Sequence, residues 1–474
     1  MGSRGTRRRL GAALALGLGA CSVMAAPVAA QYAPSPRDEE HRAILRELVE
    51  LDTSPEGGRE PDAAGAVAAR LRAAGYGTDD VELAGPSPAC VNLVATLPGR
   101  DRAARPVLLL AHLDVVPARR EDWAADPFEL REDDGWFLGR GTLDNKAGAS
   151  VLVADMIRWK REGFVPARDL ILVLTCDEET TAEAGMRWLL THRPRLAAAD
   201  YALNTDAGGI DPRPGGRALF SVQAAEKAYV TFAFTARNEG GHSSVPRADN
   251  AIYALSAALG RLAAFRFPVQ YNEVSQASFA RAASLEEGQL ADDLRAAAGG
   301  ATEGPAIERL SAVPAINSDL RTTCVATMLA AGHAENALPQ SATATVNCRV
   351  FPGVSEADIA RTLRSVVNDP TIDVTTTYEM VPSPASPLRR DVMDAVGRLA
   401  QQFWPGALVV PGMSAGATDG LYLRNIGVPV YGVAALAIDP DADRSHGLDE
   451  RVPVRSVFEA REYWYALVRA LMEH

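Results

Sequence analysis

The stretch that decides the fold is residues 107–117, which read VLLLAHLDVVP. Residues 107–110 are four consecutive apolar residues between Pro106 and a polar cluster, a pattern typical of a strand buried in a parallel sheet. His112 and Asp114 follow at its carboxyl end, where open α/β sheets place their ligands. In an extended chain the two side chains point the same way, so Asp114 can accept from one imidazole nitrogen while the other faces a metal. An ordinary polar histidine beside a strand remains the alternative.

Three further apolar runs are followed by polar groups in a similar way. Strands are predicted at 170–175, 201–204 and 428–433, followed by Asp177-Glu178-Glu179, by Asp206 and, after a longer loop, by His446. A parallel sheet would gather these groups in one crevice. Three adjacent carboxylates repel one another unless cations compensate them, although a solvated acidic loop is the alternative.

A glycine-rich segment, GRGTLDNKAG at 139–148, leads into a helix predicted to begin at Lys146. Asp144 therefore lies in a loop that enters a helix, where an aspartate can also serve as a simple cap. The crevice would then hold five nitrogen and oxygen ligands: His112, Asp144, Glu179, Asp206 and His446. Two zinc ions about 3.5–4 Å apart require such a set when one carboxylate bridges them. Cobalt or manganese could use the same ligands.

Length and composition indicate a globular protein of two domains. The chain has 474 residues, 47% of them hydrophobic and 23% charged. Its net charge is −12, or about −16 without the four arginines of residues 1–30, which argues against nucleic acid as a partner. No later segment has the apolar length that a membrane span requires.

Residues 1–30 resemble an export signal. Four arginines precede an apolar run from residue 10 to 26, and Val28-Ala29-Ala30 fits a small-residue cleavage site. This predicts a periplasmic or secreted protein. A lipoprotein signal, with the mature chain anchored through Cys21, is the alternative, and the paired arginines also permit a twin-arginine route.

Four cysteines remain beyond this leader, namely Cys90, Cys176, Cys324 and Cys348. None forms a CxxC pair, which disfavours a thiolate zinc site. Cys324 and Cys348 lie symmetrically about Asn336, the middle of a predicted hairpin loop, so they can face each other across two strands. A disulfide there is plausible in an oxidising compartment, and two buried free thiols are the alternative.

The middle of the chain follows a different pattern from its two ends. Strands are predicted at 228–236, 322–330, 341–351 and 372–381, and helices at 250–262 and 355–367, the second with Ser355 and Asp358 as a capping box. The order βαββαβ is that of a ferredoxin-like domain. We therefore predict a leader (1–30), a first catalytic part (31–220), a lid domain (221–385) with an alanine-rich helical insertion (265–321), and a second catalytic part (386–474).

Together and in this order, the motifs AHLDVVP, GRGTLDNKAG, TCDEET and SHGLDE resemble those of the dinuclear-zinc exopeptidases and deacylases. That family includes glutamate carboxypeptidase of the G type, aminoacylases, acetylornithine deacetylase and succinyl-diaminopimelate desuccinylase. The resemblance implies a mostly parallel α/β catalytic domain interrupted by the lid. It also implies that His112 and Asp206 hold one metal, that Glu179 and His446 hold the other, and that Asp144 bridges them.

The resemblance further implies that Asp114 orients His112 and that Glu178 is the general base. Two features depart from the family pattern. Asn145 replaces an aspartate that many relatives carry after a cis peptide bond, and the Asp206 turn is looser than usual, which makes Asp206 the least secure ligand.

By the same resemblance, His242 in the segment GGHSSVP of the lid would stabilise the oxyanion, assisted by Asn336. Arg349 would hold a substrate carboxylate, and the loop 414–419, with Gly416, would line the substrate pocket. Ordinary turn or surface roles remain open for Asn336, Arg349 and this loop. Family members often form dimers through the lid, with the lid histidine crossing between subunits; the insertion could replace that partner within one chain. His41, His192, His333 and His474 match no motif and are predicted to lie on the surface.

The predicted function is a dizinc metallohydrolase that cleaves a peptide or amide bond next to a free carboxylate, as a carboxypeptidase or dipeptidase does. An aminoacylase-like deacylase of N-acyl amino acids is the alternative, and an inactive binding homologue is a remote one. A serine hydrolase using Ser243 or Ser414 is disfavoured, because neither serine lies in a GxSxG elbow.

Overall fold

The computed structural model describes residues 35–212, 218–437 and 444–473, so the predicted leader, Cys21 and His474 lie outside the described residues. The helices of the described part are α1 Pro36–Val49, α2 Glu60–Ala73, α3 Lys146–Arg161, α4 Met186–His192, α5 Pro194–Ala197, α6 Ala251–Ala264, α7 Glu273–Ala282, α8 Gly288–Ala298, α9 Pro305–Ser311, α10 Pro314–Leu320, α11 Glu356–Val367, α12 Arg390–Phe403, α13 Gly420–Asn425 and α14 Val454–Met472. The strands are β1 Val81–Ser87, β2 Cys90–Leu97, β3 Val107–His112, β4 Arg131–Asp133, β5 Trp136–Leu138, β6 Leu170–Thr175, β7 Tyr201–Asn204, β8 Gly209–Pro212, β9 Ala218–Glu226, β10 Ala228–Arg237, β11 Gly241–His242, β12 Thr323–Ala331, β13 Ala337–Leu338, β14 Ser341–Val350, β15 Ile372–Tyr378, β16 Leu408–Ser414, β17 Val430–Gly432 and β18 Arg451–Pro453.

The largest sheet contains nine of these strands and is mostly parallel at its centre. Its order is β1-β2-β6-β3-β7-β17-β9-β16, with β8 paired to β9. Strands β6, β3, β7 and β17 are parallel neighbours. Leu109 of β3 faces a core shared with α1, α2, α3 and α14, whereas Leu108 and Leu110 face a second core shared with α4 and α13. Burial on both faces explains why β3 is continuously apolar, and the predicted α/β class is confirmed.

A second, antiparallel sheet has the order β12-β14-β10-β15, and we call it the inserted sheet. Helices α6 and α11 pack on its inner face, where Phe232 and Phe234 of β10 are fully buried. Ser355 caps α11 by accepting a hydrogen bond from the Asp358 amide at 3.2 Å. The predicted βαββαβ order is therefore present, in the strand order of a ferredoxin-like fold.

The segment 265–321 is helical, as predicted, and forms α7 to α10 with a small apolar core of its own. Helix α7 packs against β16 of the large sheet. Strand β9 spans the predicted boundary after residue 220 and pairs within the large sheet, and the domain boundaries themselves stay predictions.

Two small sheets were not predicted, because their strands have only two or three residues. One has the order β18-β5-β4, and the other pairs β11 with β13. Strand β5 directly precedes the glycine-rich loop, and β18 directly follows Glu450, so the first small sheet holds two distant segments side by side.

Each of the two main sheets has one disulfide between neighbouring strands. Cys324 of β12 and Cys348 of β14 are directly opposite and form a disulfide, which confirms that possibility over two free thiols. Cys90 and Cys176 form a second disulfide that the sequence analysis did not foresee. It joins the first residue of β2 to the residue after β6.

One surface prediction is wrong. His41 is fully buried beneath α3 and α14. Its Nε2 lies 2.8 Å from Ser150 Oγ, and its ring packs edge-on against Phe458. His192 and His333 are exposed, as expected. None of the helices described is both long and apolar enough to cross a membrane.

Candidate metal centre and active site

The large sheet brings the predicted ligands to one edge. His112 is the last residue of β3, Glu178 and Glu179 follow the end of β6, and Asp206 follows the end of β7. Because β6, β3 and β7 are parallel neighbours, these side chains emerge together. Asp144 comes from the loop before α3, and His446 from the loop between β17 and β18.

Asp144 lies between the two histidines. Its Oδ1 is 3.0 Å from His112 Nε2, and its Oδ2 is 3.1 Å from His446 Nε2. Asp206 Oδ1 lies 3.4 Å from the same His112 nitrogen, and Glu179 Oε1 lies 3.0 Å from the same His446 nitrogen. Each histidine therefore shares Asp144 and has one further carboxylate of its own.

This arrangement fits two divalent cations. The donor atoms of His112, Asp144 and Asp206 lie within 4.8 Å of one another, and so do those of Asp144, Glu179 and His446. Imidazole and carboxylate donors in two such sets, with one shared carboxylate, match a dinuclear site. His112, Glu178 and Glu179 form a third such group, so geometry alone leaves both glutamates within reach of a cation.

Burial and neighbouring charges shift the pKa values of several groups in the site. Burial raises the pKa of Asp206 to about 6, against the attraction of His112. Burial also raises the pKa of Glu178, and the Asp206 charge raises it further. Hydrogen bonds that the Asp144 and Glu179 carboxylates accept from the imidazole raise the pKa of His446 to about 10. A buried cluster of carboxylates needs compensating positive charge, which divalent cations can supply.

Asp114 has a different contact from the one expected. His112 Nδ1 lies 3.0 Å from the backbone oxygen of Asp114 and 3.5 Å from its carboxylate. The carboxylate instead accepts from the amides of Glu178 at 3.2 Å and Glu179 at 2.9 Å. Asp114 therefore fixes the turn that carries both glutamates as well as the imidazole.

Asn145 explains how the chain tolerates its departure from the family pattern. Its Nδ2 donates to Asp206 Oδ1 at 3.0 Å, and its Oδ1 accepts from Thr205 Oγ1 at 2.9 Å. A neutral amide thus holds Asp206 in place where an aspartate would repel it. The peptide bond between Asp144 and Asn145 is cis, as the resemblance implies.

Glu450 is a site residue that the sequence analysis missed. It is fully buried, and its carboxylate accepts from the amides of Gly141, Leu143 and Asp144 and from Arg140 Nη1, at 2.7–2.9 Å. It therefore holds the loop that carries Asp144, from a position four residues after His446. The only signal in the sequence was its place in the motif SHGLDE.

Four of the five predicted ligands, namely Asp144, Glu179, Asp206 and His446, line a cavity of about 630 Å³, which we call the first cavity. Arg349 and Gly416 line it together with Glu178, as expected. Its walls also include Tyr229, Tyr378, Tyr422, Thr418 and Asp419. The guanidinium of Arg349 lies 4.8 Å from the Tyr229 ring centre, and Arg349 Nη1 donates to the backbone oxygen of Ala415 at 3.4 Å. No carboxylate among the described residues pairs with this guanidinium.

Asp419 is the last residue of the loop 414–419, and the sequence predicted no separate role for it. It accepts from Thr175 Oγ1 at 2.5 Å, and burial raises its pKa to about 7. Its other oxygen is buried without a hydrogen-bond partner in the described structure. Asp419 thus adds another acidic group beside Glu178.

His242 and Asn336 lie beside each other but not beside the ligands. Strand β11 pairs with β13, and the Ser243 amide donates to the Asn336 backbone oxygen at 2.9 Å. Both residues are exposed, and neither lines the first cavity as the described residues of one chain form it. No residue of 265–321, all of which are described, lines this cavity, so the insertion does not take the place of a partner there.

Comparisons with known proteins agree with this geometry. Residues 108–470 match the family model described as peptidase family M20/M25/M40. The chain is 28% identical over 378 residues to N-fatty-acyl-amino acid synthase/hydrolase PM20D1 of Xenopus tropicalis, covering 78% of this chain and 73% of that protein. It is 27% identical over 391 residues to the probable carboxypeptidase S-like 2 of Dictyostelium discoideum, covering 80% and 74% of the two chains.

A solved M20 metallo-carboxypeptidase from Sulfolobus solfataricus has the same fold. The match has a TM-score of 0.67 at 15% identity and covers 91% of this chain and 99% of the other. The family match extends from β3 through His446 and Glu450 to the last helix, and thus includes every predicted metal ligand. The chain therefore belongs to peptidase family M20/M25/M40 and is a metal-dependent hydrolase of peptide bonds.

Proposed function

We propose that this protein cleaves the amide bond between a C-terminal amino acid, whose carboxylate is free, and the acyl or peptidyl group before it. The observation that carries the proposal is the guanidinium of Arg349, which pairs with no carboxylate among the described residues and lines the cavity that also holds Glu178. Its planar fork suits a carboxylate, and stacking on Tyr229 holds it in place. Carboxypeptidase S-like proteins and an N-fatty-acyl-amino acid hydrolase are among the relatives, and both names describe such a bond.

We infer that the resident metals are two zinc ions, with cobalt or manganese as substitutes. His112 and Asp206 would hold one ion, Glu179 and His446 the other, and Asp144 would bridge them. When bound, the cations would polarise the substrate carbonyl and acidify the attacking water. Of the acidic groups that line the first cavity, this scheme leaves Glu178 and Asp419 without a ligand role, and Asp419 already accepts a hydrogen bond from Thr175.

Glu178 then acts as the proton carrier. Its carboxylate accepts a proton from the attacking water and passes it to the departing amine, so the products are a carboxylate and a free amino acid. Asp114 supports this role because it fixes the Glu178 amide. Arg349 orients the amino acid, which places the scissile bond beside Glu178.

The test compares each substrate with its C-terminal amide. Zinc-loaded protein should hydrolyse N-acetyl amino acids or dipeptides, and should prefer the free carboxylate to the amide. Arg349→Met should lower kcat/KM for the carboxylate substrate about 10- to 100-fold, because a hydrogen bond to a charged group is lost, and should leave the amide substrate within threefold. Arg349→Lys should recover part of the loss. Equal losses for both substrates would contradict the carboxylate role.

Removal of the metals separates the remaining alternatives. A chelator should abolish hydrolysis, and zinc should restore it. Activity that persists after chelation would favour a serine hydrolase using Ser243 or Ser414. A zinc-loaded protein inactive on every free-carboxylate substrate would favour an inactive binding homologue.

We also infer that two copies associate through the inserted sheet, which is the predicted lid. Its edge strand β12 exposes residues 325–331, with Val325, Met328 and Leu329 each at least 60% exposed. Unpaired edges with apolar side chains favour pairing with another strand. A second copy there would cover this strand and would bring its own His242 and Asn336 toward the first cavity, where the oxyanion develops.

We propose a periplasmic or secreted location. The leader pattern of residues 1–30 supports it, and so do the two disulfides, since such bonds persist in oxidising compartments. Fractionation of cells that express the full chain would test this, and detergent extraction would distinguish the alternative of an anchor at Cys21.

A further inference from the structure

The disulfide between Cys90 and Cys176 lies immediately beside predicted site residues. Cys176 is the residue after β6, and Glu178 comes two positions later. We call residues 176–184 the glutamate turn, because they carry Glu178 and Glu179. The disulfide ties the start of this turn covalently to Cys90, the first residue of β2.

Asn92 of β2 holds the same turn at both of its ends. Its Oδ1 accepts from the Cys176 amide at 3.2 Å, and its Nδ2 donates to the Ala184 backbone oxygen at 2.9 Å. Asn92 is completely buried, so water does not compete for these hydrogen bonds. Strand β2 therefore anchors the glutamate turn through one covalent bond and two hydrogen bonds.

Two aspartates complete the set of tethers. The carboxylate of Asp177 accepts from the amides of Thr181 at 3.1 Å and Ala184 at 3.0 Å, which closes the turn on itself. Asp114 holds the middle of the turn through the two glutamate amides. Among these contacts, the disulfide is the one covalent link between the turn and another strand.

The glutamate turn has little apolar packing of its own. Residues 178–184, all of which are described, are half-buried or exposed, and Ala182 is the one among them that packs against an apolar core. Segments with few buried apolar contacts open locally at low cost in free energy. The positions of Glu178 and Glu179 therefore depend mainly on the tethers.

We propose that the disulfide between Cys90 and Cys176 positions the glutamate turn, so that the oxidised chain binds zinc more tightly and hydrolyses its substrate faster than the reduced chain. This inference rests on the proposed function, because it takes Glu179 as a ligand and Glu178 as the proton carrier. The cross-link removes conformations in which the turn leaves the edge of the sheet. Cys90 is half-buried and follows the exposed residues 87–89, so a small reductant can reach this end of the bond.

The redox step is reversible with simple reagents. A trialkylphosphine breaks the sulfur–sulfur bond and leaves two thiols, while the phosphine and one water become the phosphine oxide. Oxidised glutathione restores the bond, because one protein thiolate displaces a glutathione to form a mixed disulfide and the second protein thiolate displaces the other glutathione. With each reagent removed before assay, activity should fall after reduction and return after reoxidation.

The double variant Cys90→Ala, Cys176→Ala tests the positioning role and leaves no thiol there to bind zinc. In metal-free protein, amide hydrogen exchange across residues 177–184 should become about tenfold faster or more. Zinc affinity, measured by competition with a chromogenic chelator, should fall about tenfold, because groups that orient a ligand contribute roughly 10- to 100-fold. At saturating zinc, kcat should fall about fivefold or more, whereas KM should change less than twofold because Arg349 lies in the inserted sheet.

The matched control is the double variant Cys324→Ala, Cys348→Ala. That disulfide also joins neighbouring strands and also pairs one half-buried with one buried cysteine, but it lies in the inserted sheet, which carries none of the five predicted ligands. Its removal should lower the thermal stability of the protein. Zinc affinity should stay within threefold of wild type, and amide exchange across residues 177–184 should not change.

Several outcomes would overturn the proposal. Wild-type zinc affinity and kcat in a folded Cys90→Ala, Cys176→Ala protein would contradict the positioning role, and so would equal losses of zinc affinity in both double variants. If this variant does not fold, reduced wild type replaces it, and unchanged exchange across residues 177–184 would then contradict the role. If oxidised wild type hydrolyses no substrate with a free carboxylate, the proposed function fails, whereas the zinc titration still decides whether the disulfide positions the turn.

Discussion

Glu178 and Glu179 are neighbours in the sequence, yet they have different surroundings. Glu179 lies 3.0 Å from His446, whereas Glu178 lies among the charges of Asp206, Asp419 and His112. Both amides are held by Asp114, so the turn presents two carboxylates in fixed but distinct positions. One can thus serve a cation while the other transfers a proton.

The Glu178→Gln variant separates these two tasks. We expect kcat to fall by 10²- to 10⁴-fold, because the amide cannot accept a proton, while both metals stay bound. Metal content by mass spectrometry and kcat on one substrate would check this. Glu183→Gln, an exposed change in the same loop, is the control. An active Glu178→Gln protein that retains its metals would show that another group is the base.

Glu450 touches no predicted cation, but it should control how well cations bind. Glu450→Gln places an amide group where one carboxylate oxygen accepts from Arg140 and Gly141, so the loop that carries Asp144 should loosen. We expect metal affinity to fall about 10- to 100-fold, measured by competition with a chromogenic chelator. Asp449→Asn removes the neighbouring charge and should change affinity less than threefold. Unchanged affinity in Glu450→Gln would limit this residue to a role in folding.

Much of the site could be predicted because its residues follow strands with strong signals. His112, Glu178, Glu179 and Asp206 each come directly after an apolar run, so the sheet alone places them. Glu450 and Asp419 could not be assigned in the same way. Their partners, the glycine-rich loop and Thr175, are hundreds of residues away in the chain. The pattern of neighbouring residues in the sequence does not indicate contacts over such a distance.

At the scale of elements, buried strands and capped helices were predicted more accurately than short strands. Strands β6 and β7 have the predicted bounds, because continuous burial gives an unbroken apolar run. Strands β4, β5, β11, β13 and β18 have two or three residues, too few for any periodicity. Nevertheless, β5 and β18 are the elements that join His446 to the loop of Asp144.

His41, in helix α1, should make the free energy of unfolding depend on pH. Burial, assisted by Arg461, lowers the pKa of His41 to about 3, whereas an unfolded histidine titrates near 6.5. The unfolded chain therefore binds a proton that the folded chain excludes, so stability falls as pH drops from about 6.5 toward 3. The slope approaches about 1.4 kcal/mol per pH unit.

The variant His41→Gln removes this titration. Urea unfolding gives the free energy of unfolding at pH 7 and at pH 5. From pH 7 to pH 5, His41→Gln should lose about 2 kcal/mol less of this free energy than wild type does. His192→Gln, at an exposed histidine, should keep the wild-type difference. If all three proteins lose the same stability, His41 takes up its proton in the folded state.

At the scale of the whole molecule, β12 offers a surface that a single chain leaves open. Met328 is 69% exposed in an edge strand whose exposed residues are mostly apolar, so a charge there should oppose pairing between copies. We expect wild type to sediment as a dimer and Met328→Lys as a monomer with strongly reduced kcat, since His242 of a second copy would be lost. Val165→Lys, at another exposed apolar side chain, is the control. A monomeric, active wild type would exclude the shared site.

The chain is synthesised from its amino terminus, and this order has a consequence for the site. His112 emerges early, but its counterpart His446 and the clamp Glu450 come more than three hundred residues later, joined to the earlier loop through β18 and β5. A nascent or prematurely terminated polypeptide that stops before residue 446 has four of the five predicted ligands and lacks both His446 and Glu450. We therefore expect no hydrolytic activity during synthesis, nor from fragments that a stalled ribosome or a nonsense mutation releases before residue 446.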